Sequence, residues 1–106
     1  MTEKTFQPTM QMAEAARRGL RLREEFGRGG TQVGVDRANQ LAERRQLSAA
    51  HVKSMHSYFA RHEVDKDGKS HAWNSDTDPS AGFIAWLLWG SDAGKAWADR
   101  KAASLI

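Results

Sequence analysis

One segment constrains the fold more than any other: a short apolar run in a chain that is otherwise polar. Residues 82–97 read GFIAWLLWGSDAGKAW and hold three of the four tryptophans of the 106-residue chain. A helix that is apolar in all directions is normally buried on several sides. We therefore expect a helix from near Ser80 to Gly90 to lie at the centre of a single core. The alternative is that one tryptophan is exposed and anchors a partner.

Apolar residues elsewhere recur at helical spacing. Met12, Ala16 and Leu20 predict a helix over 9–26, capped at its start by Thr9. The same reasoning predicts further helices over 33–46, 49–62 and 92–104, with Thr31, Ser48 and either Ser91 or Asp92 as their respective caps.

No segment alternates as a strand does. Residues 1–8 are expected to be a flexible tail, and residues 63–80 form one long polar loop. The predicted fold class is therefore all-α: a compact single-domain bundle of about five helices over residues 9–106.

Charge is distributed unevenly along the chain. Residues 1–62 contain eleven lysines and arginines against six acidic residues, whereas residues 63–106 contain five against seven. This distribution favours a polyanionic partner, and we expect DNA or RNA phosphates to be bound by the first three helices. The candidate phosphate-binding residues are Arg17, Arg18, Arg21, Arg28, Arg44, Arg45 and Lys53. The short break at Gln46–Leu47 loosely suggests a helix-turn-helix, and a solvated helical surface is the simpler interpretation.

A protein-interaction module is the alternative function. Loops as long as 63–80 are often functional, and this one carries Trp73 as its single large apolar residue. In that interpretation the partner protein would be contacted by Trp73, Lys66, Lys69 and His71.

Catalysis and metal binding find little support in the sequence. Without cysteine there are no thiolate metal sites, and no two histidines have the four-residue spacing of a helical zinc site. Residues 63–74 half-resemble a calcium loop but end in Asn74 where glutamate is required. No spacing singles out a nucleophile with its base. We expect no metal, no cofactor and no enzymatic activity.

Three stretches resemble a known family: GGTQVGVDRANQLA, LSAAHVKSMHSYFARHEVD and PSAGFIAWLLWGSDAGKAWA. They are similar to a small domain of tailed phages and prophages, found alone or in proteins with prohead protease regions. The resemblance covers about residues 13–103 and implies a phage setting. In that setting the alternative partner would be a host or phage protein, and the interaction module would be a virion or assembly component or an inhibitor of a host protein. The resemblance brings no established activity and no catalytic residue.

Location follows from the same features. The chain has no apolar run long enough for a membrane span and no signal-peptide pattern at its start. We expect a protein without a membrane partner. With the resemblance, this implies the cytoplasm of the infected bacterial host or the virion. Neither the oligomeric state nor the identity of the partner follows from the sequence.

Overall fold

A computed structural model describes residues 4–67 and 71–105. Within these residues, five helices and a two-stranded sheet make up the regular structure, which confirms an all-α helical bundle. The helices are α1 Met10–Phe26, α2 Gln32–Ala42, α3 Ala49–His62, α4 Ala81–Leu88 and α5 Ser91–Ala103. The strands are β1 Thr5–Phe6 and β2 Leu47–Ser48, and a 3₁₀ turn, Glu63–Asp67, follows α3.

Helix α4 is the central element, as its composition predicts. It contacts all four other helices. Its large apolar side chains, including Phe83, Ile84 and Trp86, are buried, and so is Trp89 directly after its end. Trp86 donates its indole N–H to Asp92 Oδ1 over 2.9 Å, so the polar group of this buried ring is satisfied.

Side-chain caps fix where the helices begin. Thr9, Thr31 and Ser48 each accept a hydrogen bond from the backbone N–H three residues later, as the sequence predicts. The start of α5 differs from the prediction of a cap at Ser91 or Asp92. Gly90 precedes this helix with φ 107°, because the chain turns sharply between α4 and α5 and glycine adopts that conformation without strain.

Two residues of the predicted flexible tail 1–8 form a strand, and residues 1–3 of that tail lie outside the described residues. Thr5 and Phe6 pair antiparallel with Ser48 and Leu47. The Phe6 ring is buried and meets the edge of Trp97 at a centroid distance of 6.5 Å. Two-residue strands are too short to show an alternating pattern, and the partners of Phe6 lie far along the chain. The sequence therefore gives no local indication of this sheet.

Helix α2 ends four residues before the predicted Gln46. Arg44 adopts a left-handed conformation with φ 51°, and its Nε donates to the carbonyl of Pro8 over 2.9 Å. The backbone carbonyl of Arg44 in turn accepts a hydrogen bond from Gln7 Nε2. The early end of the helix lets the chain reverse, so that Leu47 enters the core beside β1.

Candidate nucleic-acid interface

The seven predicted phosphate-binding residues do not form one surface. Arg18 lies 2.9 Å from Asp76, and its guanidinium sits over the Phe83 ring. Arg28 lies 3.2 Å from Asp78 and also donates to the carbonyl of Pro79. Both arginines hold the loop after α3 against the bundle, and a carboxylate neutralises each charge. They are therefore structural contacts in this geometry.

Three other arginines gather at the end of α2. Arg17 Nη2 donates to the carbonyl of Ala42 over 2.6 Å, and Arg44 donates to a backbone carbonyl as described above. Arg45 pairs with Glu43. A carbonyl leaves the positive charge uncompensated, so Arg17 and Arg44 remain fully cationic. Their position at a helix C-terminus is electrostatically favourable.

The remaining two predicted residues, Lys53 on α3 and Arg21 on α1, are both exposed. His56 in α3 contacts Asp99 late in α5, whereas Lys66 beyond α3 contacts Asp92 early in α5. Helices α3 and α5 therefore run antiparallel. Lys53, one turn before His56, lies at the end of the molecule where α5 finishes. Arg21 lies on α1, one turn beyond Arg17.

Three cations at that same end are not among the residues that the sequence predicts. Lys4 and Gln7 of the first segment, with Arg100 and Lys101 of α5, line a groove of about 510 Å³. The packing of Phe6 on Trp97 brings these two segments together. The adjacent cations Arg100 and Lys101 were visible in the sequence, but their proximity to the first residues depends on the short sheet.

We name this surface the basic end. Its seven members are Lys4, Arg17, Arg44, Arg45, Lys53, Arg100 and Lys101. Among the described residues, Glu43 is the single carboxylate that forms an ion pair with any of them. The arrangement is suited to a polyanion, since several uncompensated cations around a groove attract phosphates by charge alone.

The structure does not show a helix-turn-helix arrangement. Residues 43–48 separate α2 from α3 and include β2, whereas that motif has a turn of about three to four residues. Between the two helices, the buried side chain of Arg37 donates to the carbonyl of His51 over 3.2 Å. His51 is also partly buried and caps its own helix through Ser48, so it is not presented as a base-reading residue.

The residues predicted to contact a partner from the long loop are arranged differently from the prediction. Trp73 is half-buried, and its ring packs against Phe83 and Trp86 at centroid distances of 5.1 and 5.7 Å. Lys66 lies over the Trp86 ring and pairs with Asp92, and His71 pairs with Asp78. Lys69 falls outside the described residues. Trp73, Lys66 and His71 are thus engaged within the domain, and Trp73 is not a protruding anchor.

The described residues contain neither a group of side chains suited to a metal ion nor a helix suited to span a membrane. Within residues 4–67 and 71–105, no three histidine, aspartate or glutamate side chains are grouped to hold a metal ion. None of the helices in this part of the chain is both long and apolar enough to cross a bilayer.

Comparison with known proteins gives no further constraint. No family model, no curated protein and no solved structure matches the chain. What can be said of function therefore follows from the residues and their geometry.

Proposed function

We propose that the protein is a non-enzymatic binding module that contacts the phosphate backbone of a nucleic acid through the basic end. The observation that carries this proposal is the groove lined by Lys4, Arg100 and Lys101. Arg44 bonds to Pro8 at the end of the same first segment, and among the described members of the basic end Arg45 alone pairs with a carboxylate. Four of the seven belong to the set that the sequence predicts: Arg17, Arg44, Arg45 and Lys53.

Electrostatics supports this surface rather than the rest of the molecule. The cations at the loop after α3 are paired with carboxylates: Arg18 with Asp76, Arg28 with Asp78, and Lys66 with Asp92. An incoming phosphate would have to displace those carboxylates. At the basic end it meets side chains that are exposed or bonded only to carbonyls, so binding there costs less desolvation of existing pairs.

The test is fluorescence anisotropy with labelled duplex DNA, single-stranded DNA and RNA of equal length, titrated between about 50 and 200 mM salt. Binding should weaken as salt rises. In the double variant Arg100→Gln/Lys101→Gln the log–log salt slope should become shallower by about 0.9 for each phosphate contact removed from duplex DNA. Glutamine is a good helix former and adds no negative charge at the C-terminus of α5.

A matched control separates local contacts from net charge. The double variant Arg21→Gln/Arg61→Gln removes the same charge from exposed positions outside the basic end. It should leave the salt slope nearly unchanged. An equal reduction of the salt slope in both variants would show that the overall charge of the protein attracts the probe and that no defined surface binds it. Absence of binding even at the lower salt concentration would overturn the proposal.

The biological setting is a separate part of the proposal and rests on the resemblance to small domains of tailed phages and prophages. It places the protein in the cytoplasm of an infected bacterium or in the virion. An antibody against the protein should detect it in infected-cell lysates or in purified particles of the encoding phage. Its absence from both throughout infection would count against this setting.

A further inference from the structure

A second cavity lies away from the basic end, between the start of α2, the later part of α3 and the start of α4. Its volume is about 540 Å³, within the range of small-molecule sites, and none of the seven basic-end residues lines it. Val33, Ala85 and Trp89 supply apolar surface, and Tyr58 and Asp65 supply polar groups. Val33 is 58% exposed, so its methyl groups are accessible to a ligand in this cavity.

Tyr58 is the exceptional residue of this cavity. Its side chain is only 5% exposed, and its hydroxyl has no hydrogen-bond partner among the described residues. The ring is held between Trp89, with centroids 4.4 Å apart, and His62, at 4.5 Å. The ring therefore cannot turn to find another partner. Buried polar groups without partners are rare, and they often mark a place where another molecule supplies the bond.

The polar neighbours of Tyr58 define which partner suits it. Burial and the charge of Asp65 raise the pKa of Tyr58, so its hydroxyl stays protonated and acts as a donor. The Asp65 carboxylate disfavours an anion beside it. Asp65 is partly exposed and bonds to His62 Nδ1 over 3.1 Å, and both residues line the cavity together with Tyr58.

We propose that this cavity binds an uncharged small molecule with an apolar body and one hydrogen-bond-accepting oxygen, which accepts from the Tyr58 hydroxyl. The apolar body packs against Val33, Ala85 and Trp89, and the oxygen reaches Tyr58 beside Asp65. Arg61 also lines the cavity and is exposed to solvent. This site is independent of the basic end and of nucleic-acid binding.

The experiment is an NMR titration of the full isotope-labelled chain with acetophenone and, separately, with ethylbenzene. The two probes have similar shape, and only acetophenone carries an acceptor. Signals of the Val33 methyl groups and the Trp89 indole should shift with both. Because ethylbenzene is the more apolar probe, the informative quantity is the affinity for acetophenone divided by the affinity for ethylbenzene. That ratio should fall about fivefold in Tyr58→Phe relative to the native chain, as expected for one lost hydrogen bond.

Two further variants show whether the probes enter this cavity. Ser54→Trp places a large side chain at an exposed lining position and should abolish the shifts of both probes. Ser57→Trp is the matched control, exposed on the same helix but outside the lining, and should leave them intact.

An unchanged affinity ratio in Tyr58→Phe would overturn the role of the hydroxyl. Absence of shifts at Val33 and Trp89 with both probes would overturn the site, and weaker binding of benzamide than of benzoate would overturn the preference for an uncharged ligand.

Discussion

The indole ring of Trp89 stacks on the phenol ring of Tyr58, with centroids 4.4 Å apart and planes 7° from parallel. The Arg37 guanidinium lies 5.1 Å from the Trp89 ring centroid, and His62 stacks on Tyr58. These stacked side chains connect α2 and α3 with the end of α4. An aromatic pair of this kind contributes about 0.5–1.5 kcal/mol beyond the area that it buries.

The unpartnered hydroxyl of Tyr58 makes the first stability prediction. Tyr58→Phe keeps the stack and removes a buried polar group that lacks a hydrogen bond, so it should raise the free energy of unfolding by about 1 kcal/mol. Tyr58→Ala removes the ring and should lower it by about 3 kcal/mol or more. Urea denaturation measures both. A clear loss of stability in Tyr58→Phe would mean that the hydroxyl has a partner in solution.

His51 should contribute to acid sensitivity. Burial, and then the nearby charge of Arg37, lower the pKa of His51 below the ordinary histidine value of 6.5. The unfolded chain therefore binds this proton more readily, and stability falls as the pH drops through the ordinary histidine range. His51→Gln keeps a capping side chain three residues after Ser48. Urea midpoints between about pH 7.5 and 5 should decline less steeply in this variant. An identical decline in both proteins would contradict the prediction.

Gly19 is required by the contact between α1 and α4. A Cβ at this position would lie 2.9 Å from Leu87 Cβ and 2.9 Å from the backbone nitrogen of Leu88. Gly19→Ala should therefore lower the free energy of unfolding by about 1–3 kcal/mol, although alanine is the better helix former. Glu14→Ala, at an exposed position of the same helix, is the control and should change it by less than about 0.5 kcal/mol. A stabilised Gly19→Ala variant would show that the two helices separate easily.

Arg28 should control the opening of the segment that leads into α4. The amide of Ala72 donates to the carbonyl of Asp78, and Arg28 bonds to Asp78 and Pro79. In Arg28→Ala, hydrogen exchange of the Ala72 amide should accelerate about tenfold, since a hydrogen bond to a charged group contributes about 1.5 kcal/mol. Arg21→Ala should leave that rate unchanged. Equal rates in all three proteins would mean that Trp73 and the Arg18–Asp76 pair hold the segment without Arg28.

The first residues of the chain should matter for stability. Phe6 is 6% exposed and packs on Trp97, so Phe6→Ala should lower the free energy of unfolding by about 3 kcal/mol. Thr5→Ala changes an exposed neighbour in the same strand and should have little effect. Chemical denaturation of the two variants provides the comparison. A neutral Phe6→Ala variant would favour the flexible tail that the sequence suggests.

The candidate interface was only partly predictable. Arg17, Arg44, Arg45 and Lys53 were recognised as basic residues and lie at the basic end. Arg18 and Arg28 were recognised in the same way, but they pair with Asp76 and Asp78. A sequence shows which residues are charged. Which charges are neutralised depends on distances between segments that are remote along the chain.

The buried Arg37 was missed for a related reason. Arginine is mostly exposed in proteins, and Arg37 lies between residues that suit a surface helix. In the structure it is 7% exposed, donates to Gln40 Oε1 and lies over Trp89. Its burial follows from how the end of α4 crosses α2, and periodicity within α2 does not contain that information.

By itself, the sequence determined the helices, most of their caps and the central position of α4, because helical spacing and Ser/Thr capping are local properties of the chain. The tertiary structure alone decided the pairing of Phe6 with Leu47, the early end of α2 and the cavity beside Tyr58. Each of these depends on contacts between distant segments. The basic end has the same origin: Lys4 meets Arg100 and Lys101 because the Phe6 ring is buried against Trp97.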